Sequence, residues 1–306
     1  MNNKSILNFS KELEKELSTN YNILDFEIMD IPKSNEIKKG IVFKMDDLSP
    51  VFYIDDLYEE YLNNPDIDLI IINMIRNFSI KPKKKELPFD IADFSKVKDL
   101  IIPALVNTGR NKQLLLTAPS SVFSTDLRYI YKISLIDNDK SLSVTITYQL
   151  MKLWGKSIEY IKSLALSNLY KCKYIIRDSN DVFKKLFSNV TDTKNQQLKT
   201  DELYLLSNEN IFHGSVHILN KNAIERLKYG FAKDFIILPS SIHEVLVISP
   251  TMINQNTIFD LMSLVKEVNN TQVRNCDFLS DYPLIYSINE DKVLDIKDYL
   301  ELNKMI

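Results

Sequence analysis

Two short apolar runs, Phe235-Ile236-Ile237-Leu238 and Val245-Leu246-Val247-Ile248, stand on either side of Pro239, Ser240, Ser241, Ile242, His243 and Glu244. Runs of this length, rich in β-branched residues and lacking polar alternation, are how strands covered on both faces read. Proline presets φ for a turn and serine bonds to nearby backbone, so the segment predicts a strand, a tight turn and a second strand. A hairpin of that kind needs neighbouring strands and covering layers. The polar groups gathered at its mouth need partners as well.

The chain has the means to supply both. Its 306 residues suffice for one large or two ordinary domains, and 45% hydrophobic with 26% charged residues is an ordinary globular composition. The net charge of -3 makes no electrostatic case for nucleic acid or an anionic membrane. No apolar run approaches the roughly 20 residues of a membrane span. Cys172 and Cys276 are too few for a disulfide framework, and residues 1–10 do not read as a charged-then-apolar signal segment. A soluble cytoplasmic protein is the expectation. Phosphate-cradling loops depend on clustered glycine, and the five glycines, Gly40, Gly109, Gly155, Gly214 and Gly230, are all isolated. No P-loop, no dinucleotide fingerprint and hence no cofactor is expected.

Periodicity places helices at residues 5–17, 66–78, 151–154, 157–170, 180–187, 222–229 (ended by Gly230), 256–268 and 297–304. Strand character appears at 23–29, 40–45, 51–54, 101–106, 126–135, 142–148, 203–206, 212–219 and 284–288, with Pro103 arguing for an edge or bulge. Residues 32–39 read as a turn, as do Asp137-Asn138-Asp139, and 190–200 read as a polar loop. Asp56 and Glu59 have capping-box spacing. Strands and helices mix without βαβ regularity. The fold class is therefore α+β, mainly antiparallel, in an N-terminal lobe (1–150) and a C-terminal lobe (151–306) that carries the 238–245 motif.

Several clusters admit a bland and a sharp reading. Asp46, Asp47, Asp55, Asp56, Glu59 and Glu60 could hold a metal, but carboxylates at a helix start ordinarily serve the free amides and the macrodipole. Lys81-Pro82-Lys83-Lys84-Lys85 and Arg110-Asn111-Lys112 could contact phosphates, yet no aromatic interleaving accompanies them. His213 and His217 could share an ion in a helix; in a strand they lie about 13 Å apart, too far to chelate together. Ser215-Val216-His217-Ile218 reads as strand, so no metal is expected there. Trp154 reads as core packing rather than a ligand platform.

Six segments occur in an order that resembles one bacterial family known only as a domain of unknown function. They are VFYIDDLYEEY at 51–61, the stretch 94–115 with its RNKQLL ending, LWG at 153–155, YLLSN at 204–208, LPSSIHEV at 238–245, and VNNTQV…LSDYPLIY over 268–286. The resemblance covers most of the chain from about Val51 and implies that the two C-terminal motifs belong to one domain. It implies no reaction. Two departures mark a divergent member: Leu219-Asn220-Lys221 replaces a Tyr-Pro-Gly turn, and Asn168-Leu169 lacks the threonine and proline that usually follow the asparagine.

For serine catalysis a base must reach the hydroxyl and a third group must orient the base. In a strand over 242–248, Ser241 and His243 share a face and Glu244 points away, so another acid is required, and Asp281 of the neighbouring motif is the candidate. No glycine flanks Ser240 and Ser241 to form a nucleophile elbow. The structural alternative has the serines bonding the turn, with His243 and Glu244 docking on Asp281 or on the turn at Asn269, Asn270 and Thr271. The functional alternatives are a non-enzymatic interaction or regulatory module and a serine-type hydrolase using Ser240 or Ser241, His243 and Asp281. Binding residues would come from Asn269, Asn270, Thr271, Tyr282, Arg110 and Asn111, and the partner would be a protein or small molecule.

Overall fold

The computed structural model describes residues 5–21, 23, 25–43, 51–79, 91–137, 140–179 and 198–303. The lysine run at 81–85, Asp46 and Asp47, Asn138 and Asp139, the expected helix at 180–187, most of the 190–200 loop and Lys304 lie outside these residues. The backbone divides into two units, Met1–Ile91 and Ala92–Ile306. The expected division near residue 150 falls inside the second unit, where strands on both sides of it join one body. Both units mix helices with sheets whose described pairings are all antiparallel, an α+β fold.

The first unit runs α1 (Ile6–Thr19), β1 (Phe26–Lys33), β2 (Glu36–Phe43), β3 (Val51–Tyr53), α2 (Ile54–Asn63) and α3 (Ile67–Ser79). Phe9, Leu13 and Leu17 fall on one face of α1 and pack with Ile41, Phe43, Ile70 and Ile71, all buried. Where a turn over 32–39 is expected, the strands continue to the Lys33–Glu36 pair, leaving only Ser34 and Asn35 to turn, the latter at φ 65°. Asparagine tolerates that left-handed backbone. The expected capping box also fails: α2 begins directly after β3 with Tyr53 as its cap, and Asp55 and Asp56 occupy the first turn. There the carboxylates favour the positive end of the helix dipole.

The second unit begins with α4 (Phe94–Val97), β4 (Ile101–Asn107), α5 (Lys112–Thr117), β5 (Ser120–Val122), β6 (Leu127–Asp137) and β7 (Lys140–Thr145). It continues through α6 (Tyr148–Trp154), α7 (Ile158–Lys171), β8 (Ile175–Asp178), β9 (Leu203–Ser207) and α8 (Lys221–Phe231). It closes with β10 (Phe235–Leu238), β11 (Val245–Ile248), α9 (Gln255–Thr271), β12 (Leu284–Ser287), β13 (Lys292–Asp295) and α10 (Ile296–Leu302). One sheet has the order β13-β12-β10-β11-β9-β8; a second has β4-β6-β5 with β7 also on β6. β10 and β11 thus form the centre of the larger sheet, and Phe235, Ile236, Ile237, Val245 and Val247 are wholly buried. Pro103 lies in β4, an edge strand that pairs only with β6, where a missing amide donor costs no ladder bond.

Trp154 is 8% exposed and meets the Phe94 ring at 5.3 Å. Gly155 caps α6 at φ 62°, the left-handed conformation that glycine enters freely. Residues 212–219 are not a strand: Gly214–Leu219 forms a 3-10 helix. Nor does Gly230 end its helix, which runs on to Phe231 and closes at Ala232. Inside the helix Gly230 lets Leu198 pack close, with its Cδ1 2.6 Å from where a Cβ would be, so a larger residue there would make that side chain shift.

Candidate functional site

The turn between β10 and β11 docks along residues 277–280. Ser280 N donates to Pro239 O (2.8 Å), Leu279 N to Ser240 O (2.9 Å) and Ile242 N to Asp277 O (2.8 Å), and Ser241 bridges Phe278. The other flank is held by the 3-10 helix: Gly214 N (2.8 Å) and Ser207 Oγ (2.7 Å) both donate to His243 O. Ser215 Oγ donates to Ile242 O at 2.8 Å. A buried turn with its carbonyls satisfied in this way is fixed in place.

His243 is the residue most tightly defined. Its Nε2 lies 3.1 Å from Asp277 Oδ1, and its Nδ1 accepts the His213 backbone N–H at 3.2 Å. An accepting Nδ1 puts the proton of the neutral ring on Nε2, which donates to the carboxylate. Ser241 Oγ accepts the His243 backbone N–H at 3.0 Å, a local turn bond. The serine hydroxyl and the imidazole are therefore engaged with other groups. Asp281, the expected orienting acid, is elsewhere: it accepts from Asn269 Nδ2 at 2.8 Å.

The electrostatics follow this packing. Burial alone would raise the Asp277 carboxyl, yet hydrogen bonds from Arg274 and His243 hold it below the usual range, with Arg274 Nε at 2.6 Å from Oδ2. Burial pushes the Glu244 carboxyl up, against the pull of His243 and a hydrogen bond from Ser241. The strand starts only at Val245, so the alternation expected over 242–248 does not set the direction of Glu244. His213, at φ 52°, is held down to about 4 by burial, by Lys132 and by His243. His217 is held down to about 4 by burial, and its Nδ1 contacts Asn220 Nδ2 at 3.2 Å.

Beside this turn lies a cleft of about 320 Å³. Arg110, Asn269, Asn270, Arg274, Asn275, Phe278 and Asp281 line it, with Val273. The Arg110 guanidinium lies over the Phe278 ring, 3.5 Å from its centroid, and Nη1 donates to Asn275 O at 3.4 Å. Arg110 is aimed by Asn107, whose Oδ1 accepts the Arg110 N–H (3.0 Å) while its Nδ2 donates to Leu279 O (2.9 Å). Ser280 Oγ donates to Asp126 Oδ2 at 2.6 Å, tying the same corner to the start of β6.

Of the residues singled out in the sequence, Arg110, Asn269, Asn270 and Asp281 meet in this cleft, and Ser240, Ser241, His243 and Glu244 form the turn next to it. Asn111 is buried and donates to Asn107 O; Thr271 bonds back to Glu267 O; Tyr282 is half exposed under Lys266 Nζ. Asn269, Asn270 and Thr271 are the last residues of α9 rather than a free turn. Asp277, Arg274, Asn275 and Phe278 carried no sequence signal beyond their types, and His213 stood out only as a possible metal ligand with His217, since only tertiary contact gives them their places. No curated protein and no solved structure matches the chain. The turn, its 277–280 partner and the cleft all fall within residues 6–287, which match the model of the family of unknown function DUF5688, and the chain belongs to that family.

Proposed function

We propose that the chain is a non-enzymatic binding module of the bacterial cytoplasm. On this reading the cleft at Arg110, Asn269, Asn270 and Asp281 takes a small molecule or a partner's polar segment, and the 239–244 turn fixes one of its walls. The observation that carries the reading is the pair of bonds on His243: Asp277 and the His213 amide occupy its two ring nitrogens, and neither contact is with a serine hydroxyl. A general base has to face the proton it takes. The cleft, by contrast, presents polar side chains at the size where ligand pockets begin, about 300 Å³. Among the described residues no helix is long and apolar enough to cross a membrane.

Esterase, peptidase and nuclease panels on the full chain test the proposal, with Ser241→Ala and His243→Ala beside the wild type. The expected result is no turnover in any of the three. Activity in the wild type that disappears in both variants would overturn the reading in favour of a serine hydrolase.

A further inference from the structure

Among the described residues the cleft holds one cation and one anion with no partner of opposite charge. Among the described residues no carboxylate pairs with Arg110, whose guanidinium is held flat on Phe278 and spends one donor on Asn275 O. Guanidinium carries five N–H donors in a planar fork, so most of its capacity faces outward, already positioned. Arg274, on the same wall, is different: its charge is met by Asp277. Asp281 accepts one hydrogen bond from the neutral amide of Asn269, and among the described residues no cation pairs with it. Asn269 is 8% exposed and donates to Ser280 O as well, and among the described residues its buried amide oxygen has no partner.

A simple anion at Arg110 would be repelled by Asp281, and a simple cation at Asp281 by Arg110. Only a molecule with both charges satisfies both walls. From this we propose, resting on the binding-module reading above, that the cleft takes a small zwitterion of about dipeptide size. Its carboxylate lies on the Arg110 fork and its ammonium on Asp281. The volume of about 320 Å³ suits a molecule of that size, and most of the lining residues are polar.

Glycylglycine tests this directly, set against N-acetylglycylglycine, which lacks the ammonium, and glycylglycinamide, which lacks the carboxylate. Calorimetric titration of the full chain is expected to give at least tenfold tighter binding for glycylglycine than for either capped form. Arg110→Gln is expected to abolish the preference over glycylglycinamide, and Asp281→Asn the preference over N-acetylglycylglycine. Equal affinities for the three ligands, no binding of glycylglycine, or variants that keep both preferences would each overturn the ligand class while leaving the module reading standing. Glycine released from glycylglycine by the wild type and not by Ser241→Ala would overturn the module reading, and this proposal with it.

Discussion

Gly214→Ala is the substitution whose cost can be worked most directly from the structure. A Cβ on Gly214 would lie 2.6 Å from Asn208 N and 2.8 Å from His243 O, both backbone atoms that cannot swing aside as a flexible side chain can. The 3-10 helix would have to withdraw from the turn, losing the Gly214 N–H bond to His243 O, and Ser207 Oγ, closer still to the same Cβ position, would be pushed off that carbonyl as well. Two such bonds contribute about 1 kcal/mol each. Overpacking a buried site adds about 1–3 kcal/mol, so the expected loss is about 3–5 kcal/mol. Gly155→Ala is the control: nothing lies within 4 Å of its Cβ position, and only the left-handed φ of 62° is penalised, by about 1–2 kcal/mol. Urea unfolding followed by the fluorescence of Trp154, the sole tryptophan, reads the second unit alone. A loss below about 1 kcal/mol for Gly214→Ala, no larger than for Gly155→Ala, would refute the close-approach argument.

Stability should fall with acid in a window that His213 shares with His217. The folded value of each is held near 4 against an ordinary 6.5, so the unfolded chain binds more protons between these limits and unfolding gains as pH drops through them. The effect of His217 is about 3 kcal/mol at about 1.4 kcal/mol per pH unit, and that of His213 is about the same; His217→Gln should remove its own share of the fall in the urea midpoint between pH 7 and pH 4.5, and an unchanged slope would count against buried neutral imidazole. Asn168→Ala removes the amide that donates to both Lys98 O (2.8 Å) and Ile101 O (3.0 Å), leaving two carbonyls short of a donor. The expected loss is about 2–4 kcal/mol in the same urea assay, and a value inside the error of the wild type would show that water replaces the amide.

The sequence made the central hairpin legible because its two apolar runs can be covered on both faces only inside a sheet, and Ile236 does pair Ile248 there. It also made the docking of 240–244 on the later corner legible, through the need of buried polar groups for partners. The identity of those partners was not legible. Asp281 stands in the more conspicuous motif, but Asp277 is the acid at His243, a choice made by the antiparallel pairing of 239–242 with 277–280. Residues 212–219 alternate like a strand, yet carbonyls of Ile242 and His243 capture the amides of Gly214 and Ser215 and impose a 3-10 helix. Asn269 and Asn270 have turn propensity, but α9 extends over them, with Asn269 bonded to Ser280 O. Tertiary bonds overrode local preference in each case.

The strip that joins residues 239–242 to 277–280 is made of main-chain groups. Its geometry does not depend on which side chains project from it. Arg110, Asn270 and Asp281 decorate a frame that would persist if they were exchanged, so the lining of the cleft can be altered one residue at a time without rebuilding the scaffold. A change at Gly214 or Asn107, by contrast, would move the frame itself, and the wall of the cleft with it.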